Sequence, residues 1–483
     1  MNNTIQALSL HPERLFGSDP AVVAIARSLY LDVESLPVIS PHGHTDPRWF
    51  ADNKHFGNPS ELLIKPDHYV FRMLYSQGVD MKSLGIPQHG FKGQMAESAA
   101  IDPEVIWRIF AEHYYLLVGT PSGYWLDSVF AKVFGLTEKL CAENADRYYE
   151  RINQTLATDA FKPRALMDKF NIELLATTEG ALDSLEHHKK LADTPWAKRV
   201  ITTFRPDDVV DPDREDFQGN LDVLSEISGH DTASWAGYLE AIRNRRAYFR
   251  KKGRATATDH GHPTALTADL SVSESEKLYQ KCRTGTSTEW ENELFRAQML
   301  TELAGMSVED GMVMQIHPGS HRNHNQQLFD VFGRDKGADM PVATEYVNAL
   351  KPLLGKYGNS KKLNIILFTL DETSYSRELA PLAGHYPCLK LGPAWWFHDS
   401  PAGMMRFRQQ TTETAGFYNT VGFNDDTRAF LSIPARHDVA RRVDCRYLAE
   451  LVANHQITEV EARHVVHQLS YGLVKKAYNL DSL

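Results

Sequence analysis

Val38-Ile-Ser-Pro-His-Gly-His44 is the stretch whose reading decides the fold. A short apolar run ends in two histidines two positions apart. Residues two apart on an extended chain point to one side, so two imidazoles at a strand's carboxyl end can grip one divalent ion. His-x-His recurs by chance, and taken singly each histidine is an ordinary polar residue among 21. The segment gains weight from the rest of the chain, which holds seven further strand-like runs, several ending in residues that suit a metal site.

Those runs are Ile172–Thr178, Arg199–Phe204, Ala255–Thr258, Gly311–Ile316, Asn364–Thr369, Cys388–Gly392 and Tyr418–Phe423. They end beside Arg205, Asp259-His260, His317, Asp371-Glu372, Trp395-Trp396 and Asp425-Asp426-x-Arg428. Helical patterns lie between them, among them an N-terminal box at Ser273-x-x-Glu276 and a run from Glu289 to Leu303. Ser18-Asp19-Pro20 opens an earlier helix. Strands alternating with helices predict an α/β fold, a (β/α)8 TIM-like barrel. No strand pattern appears between the first run and about 172. The chain therefore divides into an N-terminal helical segment (1–36), the first strand with its histidines (37–49), a helical insertion (50–165), the rest of the barrel (166–440) and C-terminal helices (441–483).

Composition sets the outer limits. The chain has 483 residues, 42% hydrophobic and 24% charged, with a net charge of −10. That acidity argues against a nucleic-acid partner. Four scattered cysteines form neither a zinc-finger spacing nor a disulfide framework. No apolar run approaches membrane length. A soluble cytoplasmic enzyme, free to form a homo-oligomer, is the expectation.

In a barrel of this kind functional groups collect where strands end. His42, His44, His317 and one of Asp425 or Asp426 converge on one mouth. Adjacent residues of a strand face opposite ways, which favours Asp426 as the ligand and leaves Asp425 as support. His42, His44 and Asp426 suit one divalent metal ion, zinc by preference, with positions open for water or substrate. Arg205, Arg322 and Arg428 form a second group. A guanidinium fork matches a carboxylate, so arginines at the mouth point to an anionic small molecule. A surface ion pair is the plain reading of any single one.

Together these residues resemble the uronate isomerases, or glucuronate isomerases, of the amidohydrolase superfamily. The resemblance runs almost end to end. It rests on Pro41-His-Gly-His44, Asp67-His-Tyr69, Phe204-Arg-Pro-Asp207, His317 with Arg322-Asn323, Trp395-Trp-Phe-x-Asp399, Asp426-x-Arg428 and Arg436-His437. Gly43 departs from the pattern, standing where Cys is common. The resemblance implies a hexuronate substrate, with D-glucuronate interconverted with D-fructuronate and D-galacturonate with D-tagaturonate. It further implies that His42, His44 and Asp426 surround the metal. Tyr69, Arg205, Asp259, His317, Arg322, Trp396 and Arg428 would contact substrate or assist proton transfer. Asp426 is the first choice as the proton-transfer base and Tyr69 the second, since a phenol must have its pKa lowered to serve. A mononuclear metal-dependent hydrolase is the rival reading. The fourth strand ends in Asp259-His260 rather than in a metal-bridging lysine, which argues against a binuclear hydrolase.

Overall fold

The computed structural model describes residues 5–88 and 101–482. Among them, seven strands form one parallel sheet in chain order: β1 (Val38–Ser40), β2 (Ile172–Gly180), β3 (Val200–Arg205), β4 (Ala257–His260), β5 (Val313–Ile316), β6 (Ile365–Leu367) and β7 (Leu389–Leu391). Each pairs with the next, and helices cover the connections. This is the expected α/β barrel architecture.

Side chains alternate across the sheet as the pleat requires. Ile39, Leu174, Ala176, Ile201, Ala257, Val313 and Ile366 point inward and form one hydrophobic cluster. Val38, Leu175 and Val200 point outward into a different cluster. That outer cluster is shared with helices lying between β1 and β2, including Phe71, Leu74, Trp107, Phe110 and Ile152. Between β1 and β2 the described residues form helices joined by loops, residues 89–100 lying outside the described residues. The core of these helices is continuous with the outer face of the first strands.

The eighth strand expected at Tyr418–Phe423 is replaced by a single parallel bridge, Leu391 to Thr420. Phe417–Asn419 is one turn of 3-10 helix. Gly422 then takes a left-handed φ of 78°. A Cβ there would lie 2.5 Å from the Leu469 carbonyl oxygen and 2.6 Å from Val474. The C-terminal segment packs so closely that only a glycine passes, and the ladder stops. The ring closes at the mouth through a loop contact, His44 N–H donating to Thr427 O at 3.0 Å.

Two further boundaries differ from the sequence reading. Asp259 and His260 lie inside β4, not beyond it. The box expected at Ser273 and Glu276 forms instead at Ser271 and Glu274, capping the helix Val272–Arg283. The remaining helices agree in place: Asp19 caps Pro20–Val33, and Thr288 caps Glu289–Asp310. The N-terminal helix packs on the C-terminal helices through Ala26, Leu29, Leu448 and Val466. No helix among the described residues is long and apolar enough to cross a membrane.

Candidate active site

β1 ends at Ser40, so His42 and His44 stand in the loop just past the strand. Hydrogen bonds hold that loop on both sides: Thr178 Oγ1 donates to Gly43 O at 2.9 Å, and His44 N–H donates to Thr427 O. The two rings meet edge to face with centroids 5.3 Å apart. Their Nε2 atoms approach one oxygen, Asp426 Oδ1, at 3.5 Å and 3.0 Å. His317 follows β5 and stacks on His42 at 5.0 Å, with Phe368 on its other side at 4.0 Å. Its Nδ1 lies 2.8 Å from Asp259 Oδ1.

Asp426 is held in a costly conformation. Its φ is 36°, in the left-handed region, and Trp396 across the site has φ 54°. Non-glycine residues there cost roughly 1–3 kcal/mol each and persist where surroundings over-determine them. The Trp395 indole N–H fixes Asp426 by donating to Oδ2 at 2.7 Å. Asp425 turns the other way, its Oδ2 3.0 Å from His437 Nε2. That is the split expected of adjacent residues.

The donor set fits a divalent cation. Ligand atoms of His42, His317 and Asp426 lie within 4.8 Å of one another. Asp426 Oδ1 and His317 Nε2 are buried without an aligned hydrogen-bond partner, an arrangement that costs free energy unless something else satisfies it. Burial pushes the His42 imidazole down to about 4, so it is neutral and able to ligate. Burial would raise the Asp426 carboxyl, but His42 and His44 outweigh it and hold the group well below the usual range.

These groups line one end of a cavity of about 390 Å³. Tyr69, Asp259, Arg205, Arg322, Trp396 and Arg428 line it too, so every site residue expected from sequence reaches the same space. Tyr69 is delivered by the helix His68–Tyr75, whose cap Asp67 accepts the Tyr69 N–H at 2.9 Å. Burial pushes its phenol far above the ordinary value. Alternation in β4 turns Asp259 into the cavity. Its neighbour His260 turns outward, its Nε2 2.8 Å from Thr258 Oγ1.

The arginines arrive with partners of their own. Arg205 donates from Nε to Asp207 Oδ2 at 2.7 Å and lies 3.2 Å from Asp259 Oδ2. Arg322 donates to Asp339 Oδ2 at 2.8 Å, with its guanidinium 5.4 Å from the Trp396 ring centre. Arg428 stands 3.6 Å from Asp335 Oδ2. Sequence reasoning found the arginines and missed Asp339 and Asp335. Both lie in a loop between strands, where nothing in the local pattern marks them.

Comparison with known proteins shows the family of the chain. A model of the glucuronate isomerase family matches residues 21–478. A uronate isomerase of Rhizorhabdus wittichii is 61% identical over 477 residues, covering 99% of this chain and 100% of its own length. The crystal structure of glucuronate isomerase from Caulobacter crescentus superposes with a TM-score of 0.95 at 60% identity, covering 99% of this chain and 98% of its own. That of uronate isomerase from Thermotoga maritima superposes with a TM-score of 0.88 at 26% identity, covering 97% and 100%. A strand-end histidine pair, its facing aspartate and an arginine-lined cavity thus occur in a chain that belongs to the glucuronate isomerase family, and the protein is an isomerase.

Proposed function

We propose that the protein interconverts D-glucuronate with D-fructuronate, and D-galacturonate with D-tagaturonate, by proton transfer through a cis-enediol. The observation that carries the reading is the convergence of His42 and His44 on Asp426 Oδ1 at one end of an arginine-lined cavity. His42, His44 and Asp426 would hold one divalent metal ion, and His317 is close enough to join them. The imidazole and carboxylate donors suit zinc among the common ions. Such an ion supplies Lewis-acid charge at the substrate oxygens when bound.

The open-chain aldose must lose a proton from C2. The C2–H electron pair then forms the C1–C2 double bond, and O1 takes up a proton. In the second half O2 gives up its proton as the C2 carbonyl forms, and C1 receives one. Asp426 is ionised at neutral pH and is the group that can accept. Tyr69 stays protonated, its phenol pushed up by burial, and serves as a hydrogen-bond donor. His317, braced by Asp259, faces the oxygens that change charge. Arg428 sits beside Asp426 in the chain and stabilises the enediolate oxygen. Arg205 and Arg322 take the substrate carboxylate, in exchange for part of their present pairing.

The test is direct. Metal-replete protein should convert each uronate to its ketose and leave ester and amide substrates intact. Hydrolysis without isomerisation would replace this reading with the hydrolase one.

A further inference from the structure

The loop from Gly333 to Gly337 crosses the cavity mouth in an unusual backbone conformation. Gly333, Asp335 and Gly337 have φ of 76°, 61° and 71°. The two glycines adopt this freely; Asp335 does so at a cost. The loop is held in place at several points. A Cβ on Gly337 would lie 2.8 Å from Arg72 Cβ and 3.2 Å from His68 O, so the loop packs on the helix that carries Tyr69. Past Gly337, Ala338 O accepts the His324 N–H at 2.9 Å, and Asp339 binds Arg322 and the Asn323 N–H, each at 2.8 Å.

This docking puts the Asp335 carboxylate where three cavity arginines meet. The Asp335 side chain is 55% exposed; its partial burial would raise the carboxyl, but Arg428 first, then Arg322 and Arg205, pull it down to about 2. Among the three, Arg205 and Arg322 are hydrogen-bonded to other carboxylates. Asp335 is the acid that faces Arg428, at 3.6 Å, beyond hydrogen-bond length. It can therefore orient the guanidinium through charge and leave its donors free for substrate. A closer, bidentate acid would use those donors up.

We infer that Asp335 is a positioning residue: from the strained loop it holds the Arg428 guanidinium toward the reacting end of the cavity. The inference rests on the role proposed for Arg428 as stabiliser of the enediolate oxygen. Asp335 acts through Arg428, so its loss matters only while Arg428 is present.

The test is a double-mutant cycle with Asp335→Asn and Arg428→Met, read as kcat and KM on D-glucuronate with the melting temperature of each variant. Asparagine tolerates the left-handed backbone, so D335N removes the charge and spares the loop. The expected result is a fall in kcat of about 10-fold or more in D335N, with KM changed less than about threefold and the melting temperature near wild type. The double variant should be no slower than R428M alone. Multiplicative losses in the cycle would overturn the inference. So would normal kcat in D335N beside an impaired R428M, or a drop in KM alone, which would mark Asp335 as a competitor of the substrate carboxylate. A silent R428M would remove the role of Arg428 itself, and the inference with it.

Discussion

The histidine corner and the arginine wall of the cavity, which meet at Asp259, solve opposite electrostatic problems. At the histidine corner, Asp426 Oδ1 faces two imidazole nitrogens, yet it and His317 Nε2 are buried without an aligned hydrogen bond. Along the arginine wall, Arg205, Arg322 and Arg428 each already face an aspartate. The corner brings together donors that suit a cation. On the wall, Arg205 and Arg322 already donate to aspartates, so under the proposed reading a substrate carboxylate would exchange with an internal one. The difference bears on how a chain of net charge −10 could present the proposed anion site. The half-buried arginines are oriented by their own acids, and the proposed exchange would replace one carboxylate with another rather than neutralise bare charge.

The corner gives the largest expected effect. His42→Asn should lower both bound metal and turnover by roughly 100-fold or more, with the circular-dichroism spectrum and melting profile largely retained. Unchanged metal content would remove His42 from the site. On the wall, Arg205→Met strips a partner from both Asp207 and Asp259 as well as from substrate. Truncating one member of a buried pair costs about 2–5 kcal/mol, so kcat/KM on both uronates should fall steeply. Arg322→Met should weaken binding less, because Arg322 pairs with one carboxylate rather than two and rests on Trp396. Near-normal kcat/KM in both variants would end the assignment of the carboxylate to this wall. The proton-transfer chemistry of the corner can be followed in heavy water, where solvent deuterium should appear at C1 of the ketose. Prolonged reversible turnover with no deuterium washed in would contradict an exchangeable base.

The smallest effect lies outside the cavity, as a contrast to both corner and wall. Glu179 on β2 is only 9% exposed, accepts hydrogen bonds from Thr177 and Thr202, and is pushed up to about 8 by burial. An acid whose folded pKa is raised contributes stability that is fully present below its unfolded value. That contribution is lost as pH climbs through the folded value. Between pH 5 and 8 the wild type should therefore lose melting temperature relative to Glu179→Gln, by roughly 2–4 °C. Parallel pH profiles for the two proteins would show that the carboxyl titrates normally.

Much of this was legible from local pattern. Seven apolar runs became strands because each carries its own β-forming residues and a loop after it. The His-x-His pair was legible because two-residue spacing survives even where the strand gives way to loop. The eighth run failed for a reason no window contains: Gly422 is forced by Leu469 and Val474, residues of the C-terminal segment. The capping box slipped by two positions because Ser271–Glu274 and Ser273–Glu276 overlap and satisfy the same rule, and only the extended backbone at Ser271 (φ −64°, ψ 157°) decides between them. At the site, the side chains that act by type were readable. Those that act by pairing were not: Asp335 with Arg428, Asp339 with Arg322, Trp395 with Asp426. Each pair joins distant parts of the chain, and the aspartates look like ordinary loop residues until the fold brings them to the mouth.

Asp426 links metal holding to proton transfer, since it faces the histidines and is the proposed proton acceptor. The most direct measurement is the rate of ketose formation from D-glucuronate by metal-replete wild type and by Asp426→Asn, with the fold of each checked by melting. Robust isomerisation by the wild type is expected, with a loss of roughly 100-fold or more in the folded variant. An Asp426→Asn protein that isomerises glucuronate at near wild-type rate would contradict the assignment of Asp426 to both roles.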